Sequence, residues 1–106
     1  MTTFNDREKA FEDKYKHDQD LQFKVEVRRN KLLGLWAAEL LGMTGSEAEA
    51  YAKEVVAADF EEPGDADVVR KILADLSAKK VDMSEHLLRK KMDELRDEAK
   101  HQVMNE

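Results

Sequence analysis

One proline, Pro63, and four glycines leave this 106-residue chain few places to turn. A β-rich domain of this size needs many tight turns, so such sparse punctuation points to long helices. The stretches between the breaks agree. Leu, Ala, Glu, Lys, Met and Arg dominate, all strong helix formers. Leu21, Val25, Leu32, Trp36 and Leu40 share one helical face, which Leu33, Ala37 and Leu41 widen, and this predicts a first helix from Asp18 to Leu41. Gly34 and Ala38 sit one turn apart, where a neighbouring helix can approach closely. GMTG at 42–45 then ends the helix, with Gly42 suited to a left-handed cap.

Ser46 with Glu49 three residues on reads as a capping box that opens a second helix. Ala48, Tyr51, Ala52, Val55 and Val56 form its apolar stripe, and it is expected to end near Phe60. EEPGD at 61–65 is the one Pro–Gly break, with Asp65 as the N-cap of a third helix carrying Val69, Ile72, Leu73 and Leu76. That helix is expected to fray near Lys79. Asp82 with Glu85, or Ser84 alone, caps the last helix. Leu88, Met92, Leu95 and Ala99 run down one side of it, with Leu87 adjacent, and the tail HQVMNE is expected to fray. Short connections favour sequential antiparallel neighbours. The reading is all-α: a small four-helix bundle over residues 20–106.

Residues 1–19 do not fit that pattern. Phe4, Phe11 and Tyr15 fall at i, i+7 and i+11, a stripe about one ring wide. Nearly everything between is charged, and Asn5 to Asp20 carry Asp6, Glu8, Glu12, Asp13, Asp18 and Asp20 against Arg7, Lys9, Lys14 and Lys16. Glu8 and Glu12 repel at i,i+4, whereas Glu12 and Lys16 attract. An isolated helix this short and polar is marginal in water. The segment either extends the first helix, folds back on the bundle, or is a mobile or marginally helical element that orders on a partner and lays its rings into an apolar groove.

Composition removes several classes of function. The absence of cysteine excludes disulfides, thiolate metal sites and a Cys nucleophile. No apolar run approaches the roughly 20 residues of a membrane span, and the N-terminus is too polar for a signal peptide, so a cytoplasmic chain without membrane insertion is expected. A net charge of −6 and a pI near 5.1 oppose nucleic-acid binding. The basic clusters Arg28-Arg29, Arg70-Lys71, Lys79-Lys80 and Arg89-Lys90-Lys91 are flanked by acids and read as solvated helix faces.

Catalytic patterns are likewise missing. His17, His86 and His101 lack partner ligands at helical spacing and read as surface residues. DFEEPGDAD at 59–67 places Gly64 at the sixth position of a calcium loop started at Asp59. The twelfth position is Arg70 rather than Glu, and the fifth is Pro63, so no metal is expected and the acids read as turn and cap residues. No phosphate-binding glycine loop or nucleophile elbow occurs. A weak nucleotide site of Arg and Lys beside Trp36 or Tyr51 is conceivable; Trp36 as core and the bases as surface is the simpler reading. The chain reads as no enzyme, needing no cofactor and acting as a monomer when free.

Four long strings carry a resemblance: TTFNDREKAFEDKY at the start, FKVEVRRNKLLGLWAAELLGMTG at 23–45, YAKEVVAADFEEPGDADVVRK at 51–71 and LLRKKMDELRDEA at 87–99. They resemble the zeta subunit of α-proteobacterial ATP synthases, an inhibitor of that enzyme's hydrolytic activity. The resemblance implies a four-helix bundle and an inhibitory N-terminal segment that is mobile in the free protein. It implies that this segment enters an α/β interface of the catalytic head, contacts the γ subunit and blocks hydrolysis far more than synthesis. The matching positions are Phe4, Arg7, Glu8, Phe11 and Tyr15, with Lys9 and Lys14 beside them. The resemblance places the chain in the cytoplasm, peripheral to the inner membrane through the synthase. His17, with a usual pKa near 6.5, lies in the same segment. The competing readings are an adaptor that uses the segment on another partner and a metabolite-sensing, nucleotide-binding bundle.

Overall fold

The computed structural model describes the backbone of residues 3–59 and 64–106, and side chains from residue 19 onward within those spans. Helices α1 (Thr3–Leu40), α2 (Ser46–Ala58), α3 (Ala66–Ala78) and α4 (Glu85–Met104) follow in order. They make an all-α, four-helix fold, as the apolar periodicity predicts, with no strand among the described residues. The opening segment continues the backbone of the first helix back to Thr3, so α1 starts well before Asp18. At 38 residues, α1 is nearly twice the length of α4, with 20. It is the spine of the fold: it packs along α2 and α4 and also meets α3.

The core gathers Leu33, Ala37 and Ala38 of α1, Tyr51 and Val55 of α2, Val68, Val69, Ile72 and Leu76 of α3, and Leu88, Met92 and Leu95 of α4. Its centre on α1 is rotated from the expected face. Leu33, Ala37 and Ala38 are fully buried, Leu32 and Trp36 only pack against them, and Leu40 is exposed. The small residues allow close helix contact. A Cβ added to Gly34 would lie 2.6 Å from the Cα of Ala52, which is where α2 crosses α1.

Each helix end has a physical reason, and not always the one the sequence suggests. Gly42 has φ 79° and ends α1 as expected. The Met43 N–H bonds to the Ala38 carbonyl (2.9 Å) and the Gly42 N–H to that of Glu39 (3.1 Å), together a Schellman motif. The same pair of bonds ends α3, from Val81 to Leu76 (2.8 Å) and Lys80 to Ser77 (2.9 Å). There the left-handed position is held by Lys80 at φ 60° rather than by glycine. Ser84 caps α4 by accepting from the Leu87 N–H at 3.1 Å.

Three expectations are corrected. Ser46 forms no capping box, because Gly45 takes the N-cap position at φ 56° and Ser46 already lies in the first turn. Asp65 is the N-cap residue of α3, but its side chain does not cap; it points to Arg29 instead. The tail does not fray at His101: α4 runs to Met104 with Val103 buried, and Arg28 of α1 bonds to Gln102 (2.9 Å) and pairs with Glu106. The expected end of α2 near Phe60 falls at Ala58, with Asp59 as C-cap; Phe60 itself is outside the described residues.

Candidate functional site

The residues expected to bind a partner are Phe4, Arg7, Glu8, Lys9, Phe11, Lys14 and Tyr15. All lie within the backbone of α1, and their side chains, with that of His17, fall outside the described ones. Leu21, Val25 and Glu26 line a groove shared with Arg96, Lys100 and Met104 of α4.

The described polar site lies further along α1 and was missed in the sequence. Arg29 and Asn30 are each 1% exposed. The Arg29 guanidinium makes two parallel bonds to Asp65, from Nη2 to Oδ1 at 2.7 Å and from Nη1 to Oδ2 at 3.2 Å. Its Nε and Nη2 also donate to Asn30 Oδ1, at 3.1 and 2.8 Å. A buried guanidinium is tolerable only when its donors are satisfied this way. The hydrogen bonds from Arg29 hold the Asp65 carboxyl below its usual range, against a smaller opposing effect of burial; the charges of Arg29, Arg96 and Arg89 act in the same lowering direction. A signal was available: Arg29 and Asn30 precede Leu33 and Gly34 by four residues each, on the buried face of α1.

Glu26, Asp59 and Asp65 bring one carboxylate oxygen each to within 4.8 Å of one another. Asp59 and Asp65 belong to the stretch read above as turn and cap residues, and Glu26 joins them from α1. The Arg29 guanidinium occupies both oxygens of Asp65.

The aromatic positions considered for a nucleotide are tied to acids. The Tyr51 hydroxyl donates to Asp75 Oδ2 at 2.7 Å, and Lys71 lies 5.1 Å from the Tyr51 ring while pairing with Asp75 (3.1 Å) and Glu54 (3.3 Å). Burial, then the hydrogen bond to Asp75 and the charges of Asp75 and Glu54, push the Tyr51 hydroxyl far above its usual pKa. Lys91 stands 5.7 Å from the Trp36 ring and 3.8 Å from Glu94. A phosphate arriving at either ring meets a base already paired with a carboxylate. His86 and His101 are exposed. No described helix is long and apolar enough to cross a membrane.

A bundle clamped by buried polar links, with a first helix nearly twice as long as the last, defines a small helical protein built around one long helix. The chain belongs to the ATPase inhibitor subunit zeta family, whose model matches residues 1–102. It is therefore a member of a family of regulatory inhibitor subunits. A solved structure described as a solution NMR structure is 55% identical, covers 80% of this chain and 96% of its own, and superposes with a TM-score of 0.72. No curated protein matches the chain.

Proposed function

We propose that the chain inhibits ATP hydrolysis by the bacterial ATP synthase, using residues 1–19 as an inhibitory helix and residues 20–106 as the bundle that carries it. The observation behind this reading is that the family match includes the opening segment, whose backbone forms the first stretch of the 38-residue α1. At about 1.5 Å per residue, residues 3–19 amount to roughly 25 Å of helix. In this reading the segment enters an α/β catalytic interface near the γ subunit. A wedge that favours one conformation of a cycling interface stalls the cycle. The bundle then stays outside as bulk, in the cytoplasm at the membrane-bound synthase.

Phe4, Phe11 and Tyr15 serve as anchors, since buried aromatics commonly dominate interface energy. Arg7, Glu8, Lys9 and Lys14 match a polar rim. Burying one ring contributes about 1.5–3 kcal/mol, so Phe11→Ala is expected to weaken inhibition about 10- to 100-fold. Titration of hydrolysis by the purified catalytic head measures this, and thermal unfolding of the free variant is expected to match the parent. Full inhibition by a Phe11→Ala chain with a lowered melting temperature would instead assign the ring to this protein's own packing.

A further inference from the structure

Three carboxyl groups from three separate segments meet at one end of the bundle: Glu26 of α1, Asp59 at the end of α2 and Asp65 at the start of α3. The Arg29 donors described above are committed to Asp65 and Asn30. Glu26 is thereby left facing Asp59, whose buried Oδ1 has no hydrogen-bond partner among the described residues. On the α4 side, Arg96, Asp97 and Lys100 line the groove beside Glu26. A carboxylate can only accept hydrogen bonds, whereas a protonated carboxyl can also donate one.

We propose that Glu26 and Asp59 form a proton-linked latch between α1 and the end of α2. With Glu26 protonated, its hydroxyl donates to Asp59 and closes the junction. With Glu26 ionised, two carboxylates oppose each other and the junction loosens. Burial, then the charge of Asp59 and the hydrogen bond with it, hold the Glu26 carboxyl above its usual value of 4.5; Arg29 opposes this, and Asp65 adds slightly to it. The folded chain therefore binds more protons at Glu26 than the unfolded chain does. This contribution to stability is full below 4.5 and is lost as pH rises through the folded value. Glu26 stands about two helical turns beyond residue 19. The latch thus sets the base of the segment assigned above to inhibition, and this last link alone rests on that assignment.

Carboxyl-carbon NMR titration of the full chain, with thermal unfolding across the same pH range, tests the latch. Glu26 is expected to titrate above 4.5. Glu26→Gln, which keeps a donor and removes the charge, is expected to melt higher than the parent at neutral pH, with the advantage vanishing in acid. Asp59→Asn is expected to lower the Glu26 midpoint. A Glu26 midpoint at or below 4.5, or a Glu26→Gln chain that melts no higher than the parent at neutral pH, overturns the proposal. An Asp59→Asn chain in which Glu26 titrates unchanged also overturns it. None of these readouts involves the ATP synthase, so their failure is separate from any failure of the inhibitory reading.

Discussion

Arg29→Ala is expected to destabilise the bundle by about 3 kcal/mol at neutral pH, the lower end of the cost of breaking a buried ion pair. The lower end applies because Asp65 keeps 30% of its side-chain surface in water, while Arg29 keeps 2%. The loss has two parts. Three carboxylates within 4.8 Å of one another lose the guanidinium that faces them, and Asn30 loses the donors to its Oδ1. Chemical denaturation read by circular dichroism measures the effect. The penalty should shrink as pH falls, because Asp65 owes its depressed pKa to Arg29. A group with a depressed folded pKa contributes stability above its unfolded value, and that contribution disappears as pH falls through the folded one. A variant as stable as the parent at neutral pH would mean the guanidinium only balances its own desolvation.

Gly34→Val is the second large effect. An added Cβ lies 2.6 Å from the Cα of Ala52 and 3.3 Å from the Cβ of Val55. The first contact is with backbone and cannot be relieved by a rotamer change. Overpacking of this kind costs about 1–3 kcal/mol, and the two further methyl groups of valine put the expected loss near the top of that range. The better helix propensity of valine over glycine returns only a few tenths of a kcal/mol. Gly34→Ala should show the same sign with a smaller loss. A melting temperature equal to the parent's would mean α2 can move away from α1 freely.

Local features of the fold were legible in the sequence because their causes are local. Gly42 has the one backbone freedom its turn requires, Ser84 meets the N–H three residues on, and the Gly34–Ala38 step is small wherever it lies. Apolar spacing likewise located all four helices. The face of α1 was harder. Leu32, Trp36 and Leu40 define the expected face, yet the close helix approach needs small residues, which puts Ala37 and Ala38 at the centre with Leu33. Spacing to Leu33 and Gly34 signals the burial of Arg29 and Asn30, but the pairing was not legible, because Arg29 and Asp65 are 36 positions apart and meet only after α3 folds against α1. For the same reason Asp65 reads as a cap when it is a counter-ion. Ser46 misled through a motif whose first position Gly45 had already taken. The partner-binding residues rest on a different footing: rings spaced along a charged helix ask for a partner, and only the resemblance supplied one.

The central claim is that residues 1–19 inhibit and the bundle carries them. The direct measurement is ATP hydrolysis by a purified bacterial ATP synthase catalytic head with added full-length chain, or with a chain lacking residues 1–19 that circular dichroism shows to be folded. The account predicts that the full-length chain inhibits and the shortened one does not. Equal inhibition by both would move the inhibitory surface to the bundle, and inhibition by neither would contradict the proposed function.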